Sequence, residues 1–326
     1  MEQIVFLDDV ECAKYQELLE PLQRFGGLTV YTTVPKNNRE LLERVHDATV
    51  VCFGLSHFTK EVLSACPDLK LLCFLGTGVW DYVDLEAANK LRIAVMNVAD
   101  YGTNAVAEHV LALMLAVNRH ICEAHQRVLW GIWDQSGLAG VELAGSTLGI
   151  VGLGRIGRRV AEIGLQLGMR VCGYDNVPPQ QWPGFQQIEF MSLRNVVRTA
   201  DYLTIHLPGL PETQNVVNAD VLKLLKKDAV VINTSRGEVL DNEFLAHLLR
   251  TGRIRGAGLD VFPTEPPGND NPYLGLTNVV LTPHIGFATR NAIQRLLQTA
   301  VQQIADFLVD EQRVVVNAQE KESINN

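Results

Sequence analysis

Short apolar runs separated by helix-length amphipathic stretches recur along the whole chain. Residues 4–7, 28–31, 49–53, 69–74 and 93–95 read as strands. Several are continuously apolar rather than alternating, which marks strands buried on both faces of a parallel sheet. Helical spacing falls between them, over 12–25, 39–45, 60–65 and 84–90. Strand and helix in alternation predict a complete α/β unit over residues 3–100. A long helix follows from 104 to 119 or beyond, with Val106, Val110, Leu113 and Val117 at helical spacing and further apolar positions on its other faces. Such a helix is buried on most sides.

Residues 120–145 break this rhythm and carry Trp130 and Trp133. They read as an arm, packed either on a partner subunit or on its own chain. The alternation resumes at Thr147. Strands are expected at 148–151, 169–174, 202–205, 229–232, 256–259 and 279–281, with helices at 218–225, 242–249 and 290–309. Residues 262–272, rich in Pro, Gly and Asn, read as a surface loop, and the polar tail from 319 as frayed.

Composition narrows the class. The 326 residues suffice for about two domains. A net charge of −9 disfavours a nucleic-acid surface, which needs clustered basic residues. The six cysteines, Cys12, Cys52, Cys66, Cys73, Cys122 and Cys172, include no Cys-x-x-Cys pair and read as small buried thiols in a reducing compartment. The chain opens Met1-Glu2-Gln3 without a basic-then-apolar leader, and its longest clean apolar run, 110–117, is too short to span a bilayer. These features predict a cytoplasmic protein with no nucleic-acid or membrane partner.

One segment carries a specific chemical signal. Gly152-Leu153-Gly154-Arg155-Ile156-Gly157 follows the apolar run 148–151 and opens the amphipathic run 158–167, and Asp175 stands eighteen residues past the last glycine. Strand, glycine turn, helix, strand and acid in that order form a dinucleotide-binding fingerprint. Gly152 permits the tight turn, Gly154 lets a pyrophosphate approach the backbone, and Gly157 lets the helix pack close to the sheet. The helix N-terminus offers unpaired N–H groups to the phosphates. Asp175 can accept hydrogen bonds from a ribose diol and repels a 2′-phosphate, which favours NAD over NADP.

Three polar stretches follow later strands: 233–237 with Arg236, 260–266 with Glu265, and 282–286 with His284. Ligands of parallel sheets bind beyond the carboxyl ends of the strands, so these loops are expected beside the glycine turn. Their residue types suit hydride transfer to a carbonyl acid. A histidine can give the ketone oxygen its proton and take it back in reverse. A carboxylate fixes the imidazole tautomer, and an arginine can clamp a substrate carboxylate with two parallel hydrogen bonds. His284 is the expected acid/base, Glu265 its orienter and Arg236 the clamp. His120, Cys122 and His125 cluster in sequence, but on a continuing helix His120 and Cys122 face nearly opposite ways, so no metal site is expected.

These motifs resemble the D-isomer-specific 2-hydroxyacid dehydrogenase family. The likeness covers roughly residues 45–317 and rests on Gly152 to Gly157, Asn233-Thr234-Ser235-Arg236-Gly237, Leu259-Asp260-Val261-Phe262, Glu265-Pro266 and Thr282-Pro283-His284-Ile285-Gly286. The resemblance implies two doubly wound parallel-sheet domains of Rossmann or flavodoxin-like type. It implies a split substrate domain, 1–100 plus 287–326, with the NAD domain, 101–286, inserted. It implies an NAD-dependent reaction on a small 2-hydroxy or 2-keto acid, a homodimer, and the roles given above to Arg236, Glu265 and His284. It further implies cofactor contacts at Thr103, His206, Pro208 and Thr213, at the motif positions Arg155, Ile156, Thr234 and Gly286, and at Asp260 as partner of the nicotinamide carboxamide. The backbone of Gly76-Thr77-Gly78 resembles the loop that holds the substrate carboxylate. Glu108 and His109, on the buried helix, read as structural.

The chain also departs from the family pattern. The stretch from Gly76 to Asp84 is one residue longer than usual and places Trp80 at the substrate end. Phe53 stands where phosphoglycerate-type relatives carry an arginine. With the want of a C-terminal regulatory domain, this disfavours a phosphoglycerate-dehydrogenase-type enzyme. Glu265 stands where formate-oxidising relatives carry glutamine. An NAD(H)-binding transcriptional corepressor on the same fold is the rival from another class.

Overall fold

Side chains alternate across a strand, so each strand of a two-sided sheet feeds two cores. The computed structural model of the chain describes residues 1–8, 12–177 and 185–309, and the tail expected to fray lies outside them. Two compact units emerge, Met1–Gly102 with Ala288–Asn326, and Thr103–Phe287.

The first unit holds β1 (Glu2–Phe6), β2 (Gly26–Val30), β3 (Val50–Phe53), β4 (Leu71–Phe74) and β5 (Ala94–Asn97) in the all-parallel order β2-β1-β3-β4-β5. Ile4, Phe6, Val50, Cys52, Leu71 and Cys73 face one core, which Ile293, Leu296, Leu297, Ala300 and Ile304 of the helix Arg290–Val309 close. Val5, Val51, Phe53, Leu72 and Phe74 face the other, covered by α1 (Asn38–Val45), α2 (Lys60–Ser64) and α3 (Leu85–Leu91). The helix expected over 12–25 is instead short 3-10 turns, over Cys12–Leu18, broken at Tyr15, and over Glu20–Arg24. Pro21, at the start of the second, has no N–H for a continuous ladder.

The second unit begins with α4 (Thr103–Asn118) and α5 (Ile121–Leu129), and continues β6 (Thr147–Val151), α6 (Arg155–Gln166), β7 (Arg170–Tyr174), β8 (Ile188–Phe190), α7 (Leu193–Thr199), β9 (Tyr202–Ile205), α8 (Ala219–Leu222), β10 (Val230–Asn233), α9 (Asn242–Arg250), β11 (Gly256–Leu259) and β12 (Val279–Leu281). The last helix of the first unit is then α10. The second sheet is parallel throughout, in the order β12-β11-β10-β9-β6-β7-β8. Leu148, Ile150, Tyr202, Val230 and Ile232 pack with α4 and α6. Val151, Leu203, Ile205, Val231 and Leu259 pack with α7, α8 and α9.

The long helix does not run on. It stops at Asn118, His120 takes a left-handed φ of 52°, and α5 starts afresh. Asn118 is buried, and its amide exchanges hydrogen bonds with the backbone of Val141, which ties the far end of the arm to α4. Within this chain the arm leaves Leu129 65%, Trp130 70% and Trp133 93% exposed. Cys122, on α5, is exposed, whereas Cys52, Cys66, Cys73 and Cys172 are buried, so the expectation of buried thiols fails at Cys122: α5 has no buried residue. No single helix among the described residues is long and apolar enough to cross a membrane.

Each sheet reverses its strand order once, and such a switch point opens a ligand crevice at the carboxyl ends. In the second sheet it lies between β6 and β9, where the glycine turn begins. In the first it lies between β1 and β3. There the chain fills the anion position itself: the fully buried Asp8 carboxylate accepts N–H bonds from Gly54 at 2.7 Å, Leu55 at 3.3 Å and Ser56 at 2.6 Å.

Leu296, on α10, is fully buried in the first core. Leu296→Ala is expected to cost about 2–5 kcal/mol through lost burial and the cavity left behind, measured by the shift of the chemical-denaturation midpoint.

Candidate active site

The glycines of the turn do different work. Gly152 has a φ of 95°, and a Cβ there would lie 2.7 Å from the His206 carbonyl oxygen. A Cβ on Gly157 would lie 2.0 Å from the Gly152 carbonyl oxygen, so the helix can approach the strand only without one. Around Gly154 there is open space. It caps α6 with no side-chain bond, which leaves the first N–H groups of that helix available to an anion. Arg155 is exposed beside it, and Ile156 is half-buried on the core. Asp175 ends this βαβ unit with its Oδ2 accepting the Leu153 N–H at 2.7 Å, which fixes the carboxylate beside the turn. The Thr234 hydroxyl is buried and has no hydrogen-bond partner among the described residues. An uncapped helix start, an open glycine, an anchored acid and an orphan hydroxyl fit a bound dinucleotide.

Other expected cofactor residues divide. His206 follows β9, with its ring Nε2 2.9 Å from the Thr204 hydroxyl; burial pushes its pKa down to about 3, so it stays neutral. Thr213 has its hydroxyl engaged in its own turn, donating to the Pro208 carbonyl at 2.5 Å and accepting the Leu210 N–H at 2.9 Å. Thr213 thus closes its own turn. Thr103 opens α4, less than two turns before His109.

The loop after β10 is shaped by Asn233. Its fully buried side chain donates to the Arg236 carbonyl at 2.8 Å and accepts the Ser235 N–H at 3.0 Å. A Cβ on Gly237 would overlap the Phe262 carbonyl carbon at 2.0 Å, so this loop and the one bearing Glu265 touch backbone to backbone. Arg236 is half-buried and donates to the Ser235 carbonyl at 2.8 Å.

His284 and Glu265 meet directly, Nδ1 to Oε2 at 2.6 Å, while Glu265 Oε1 accepts the Phe262 N–H at 2.9 Å. Burial alone would raise the Glu265 pKa. The His284 hydrogen bond and charge, the Phe262 N–H and the charge of Arg236 outweigh it and hold the carboxyl below the usual 4.5. With Nδ1 turned to Glu265, Nε2 is the ring nitrogen left to exchange a proton with a ligand.

The loop that presents His284 hangs on Asp260. This carboxylate is 1% exposed and accepts the Thr282 hydroxyl at 2.6 Å, the Ile285 N–H at 2.9 Å and the Gly286 N–H at 2.8 Å. His109 Nε2 lies 3.0 Å from the Thr282 hydroxyl and 3.4 Å from Asp260 Oδ1. The resemblance implies a carboxamide contact for Asp260; within the protein its Oδ1 takes the Thr282 and Ile285 bonds and its Oδ2 the Gly286 N–H, and each carboxylate oxygen can accept more than one bond. Burial would raise the Asp260 pKa, but the His109, Thr282, Ile285 and Gly286 bonds lower it below 3.8. The grip matters because His284 sits at a φ of 53°, a left-handed conformation that costs on the order of 1–3 kcal/mol unless its surroundings impose it. Its N–H is held by the Asp260 carbonyl at 2.8 Å. His109 and Thr282 were missed in the sequence as supports of the site, since nothing local links residues this far apart.

In the first unit, Gly76, Thr77 and Gly78 follow β4. Phe53 is fully buried between the Phe58 and Phe74 rings. Trp80 is half-buried against the same core. His57 is exposed and stacks on Tyr82 at 5.0 Å. Among the described residues, no three His, Cys, Asp or Glu side chains gather as a metal site would require.

The family described as D-isomer specific 2-hydroxyacid dehydrogenase, NAD binding domain, matches residues 111–286. The glyoxylate reductase of Aeropyrum pernix is 36% identical over 302 residues, covering 90% of this chain and 90% of that protein. The D-3-phosphoglycerate dehydrogenase of Methanocaldococcus jannaschii is 37% identical over 280 residues, but these are 85% of this chain and only 53% of that protein. Among solved structures, the D-lactate dehydrogenase from Aquifex aeolicus complexed with NAD and lactic acid superposes with a TM-score of 0.80 at 31% identity, covering 94% of this chain and 96% of that one.

Because the Asp260 carboxyl is lowered by folding, its charge contributes stability that is fully present above the unfolded value of 3.8 and is lost as pH falls through the lowered folded value. Asp260→Asn is therefore expected to be less stable than wild type near neutrality and to lose less stability on acidification from about pH 5 to about pH 3. Urea midpoints taken across that range measure both effects.

Proposed function

The chain belongs to the D-isomer specific 2-hydroxyacid dehydrogenase family and is an NAD-dependent oxidoreductase of CH–OH donors, and we propose that it interconverts a small D-2-hydroxy acid and its 2-keto acid. The observation that carries this reading is the His284 Nδ1 to Glu265 Oε2 contact at 2.6 Å on the ligand edge of the second sheet.

When bound, NADH would supply the hydride for the carbonyl carbon in the reducing direction. His284 Nε2 gives its proton to the carbonyl oxygen, and in reverse it takes the hydroxyl proton. Glu265 holds the ring by Nδ1, which leaves Nε2 to exchange the proton where negative charge develops. Arg236 would clamp the substrate carboxylate, a role that its flat fork of donors suits. Gly152 to Gly157 would cradle the pyrophosphate and Asp175 the ribose diol. Thr103, His206, Pro208, Thr234 and Gly286 are proposed to line the cofactor, and the backbone of Gly76, Thr77 and Gly78 to receive the substrate carboxylate.

The resident partner is proposed to be a second copy of the chain. Support comes from the apolar residues exposed along the arm, including Leu129, Trp130 and Trp133, which a monomer would leave in water. Four of the five cysteines described as free are buried, which suits a reducing cytoplasm, and no nucleic-acid or membrane partner is proposed.

The reaction is tested by mixing the protein with NADH and glyoxylate, hydroxypyruvate, pyruvate or longer 2-keto acids and following the loss of NADH absorbance. At least one acid should be reduced. His284→Ala should lower kcat about 10²–10⁴-fold while NADH fluorescence titrations stay as in wild type. No consumption with any acid would leave a binding protein in place of the enzyme, and a His284→Ala variant with wild-type kcat would remove His284 from the chemistry. Sedimentation of the wild type should give twice the chain mass, and Leu129→Asp should shift it toward monomer; a monomeric wild type would refute the pairing.

A further inference from the structure

The turn after β4 contains two peptide planes whose direction is set from outside the turn. Asn97, the last residue of β5 and 9% exposed, donates its side-chain N–H to the Thr77 carbonyl at 2.6 Å. Its neighbour Val98 donates its backbone N–H to the Gly76 carbonyl at 3.0 Å. Both carbonyls therefore point toward the end of β5. In a planar trans peptide the carbonyl and the following N–H point opposite ways. The N–H groups of Thr77 and Gly78 thus both point away from β5, side by side, and neither has a protein partner among the described residues. Successive N–H groups turned to one side form an anion-binding concavity.

The two planes are not equally secure. The first is held backbone to backbone, by Val98. The second, between Thr77 and Gly78, is held by the side chain of Asn97 and by the tight turn in which Val79 donates to the Thr77 carbonyl at 3.2 Å. Glycine at 76 and 78 leaves the backbone on either side of Thr77 free to take up the rotations that turning this plane over would need. Its direction then depends on Asn97 more than on local sterics.

We propose that Asn97 is a positioning residue for the substrate: it fixes the Thr77–Gly78 peptide so that the Gly78 N–H faces the carboxylate of the 2-keto acid. The proposal rests on the oxidoreductase reading above and on the Gly76–Gly78 turn as the carboxylate cradle. Asn97 touches no reacting atom, so its loss should weaken capture of the acid while leaving the chemical step and the dinucleotide untouched.

Two variants of similar volume test it. Asn97→Leu removes the donor without adding charge, and Asn97→Asp keeps the shape but cannot donate when ionised. With the acid that wild type reduces best, both should raise KM roughly 10- to 100-fold, the range for one hydrogen bond to a charged group. Their kcat should stay within about threefold and their NADH affinity within about twofold of wild type, margins well inside that single-bond effect. A purely structural role would move NADH affinity and kcat together with KM, and that result would overturn the proposal. An unchanged KM in whichever variant folds would overturn it as well. If wild type reduces none of the acids, the oxidoreductase reading itself fails and takes the proposal with it; active wild type with indifferent variants sinks the role of Asn97 alone.

Discussion

A carboxylate removed from water loses several kcal/mol of solvation unless other donors replace it. Asp260 is such a group, and the replacement donors are the Thr282 hydroxyl and the Ile285 and Gly286 N–H groups, with His109 beside them. The constraint works in both directions. The loop satisfies the charge, and the charge forbids the loop to move, since any shift would leave a buried anion unpaired. Pinned at Thr282, Ile285 and Gly286, the chain has little choice at the residue between them. His284 takes its left-handed backbone and its ring reaches Glu265. The His284–Glu265 contact is thus positioned from outside the pair, by the bonds that Asp260 accepts.

The two sheets share one topological device and use it oppositely. Both reverse strand order once, and both place backbone N–H groups beyond the carboxyl ends at the reversal. In the first unit Asp8 occupies three of those donors, and the loop after β3 becomes rigid scaffold. In the second unit no side chain caps the start of α6 at its reversal, and the space beside Gly154 is open.

Much of this was legible in the sequence, for physical reasons. Strands buried on both faces are dominated by apolar residues, so the runs at 49–53, 69–74 and 202–205 stand out although each carries one polar residue, Thr49, Lys70 or Thr204. The glycine turn is recognisable because its demands on the backbone are strict: at Gly152 and Gly157 any Cβ would strike a carbonyl. Arg236, Glu265 and His284 could be picked out because each directly follows a strand of a parallel sheet. What stayed hidden depended on partners distant in sequence. Thr282 and His109 look ordinary until 173 positions of chain bring them within 3.0 Å. The burial of Phe53 likewise depends on distant partners: pleating turns it into the core, between the Phe58 and Phe74 rings. The helix expected over 12–25 breaks at Tyr15, which the amphipathic pattern does not show, and again at Pro21, whose missing N–H is visible in the sequence.

The stretch from Gly76 to Asp84, expected to be one residue longer than the family pattern, is not left as a free loop. An extra residue in a free loop would cost little and order nothing. Here the stretch is stitched to the segment after β3: the Phe58 N–H reaches the Tyr82 carbonyl at 2.7 Å, and the Asp84 N–H reaches the Phe58 carbonyl at 3.0 Å. His57, Tyr82 and Phe74 then stack in sequence, with ring centroids 5.0 and 4.7 Å apart. The Phe74 ring in turn fills the space that a side chain on Gly76 would need, its nearest carbon 2.7 Å from that Cβ position. The turn is therefore held from two directions, by Asn97 through a hydrogen bond and by Phe74 through packing. The glycine that makes the backbone pliable is the same one that the aromatic stack requires.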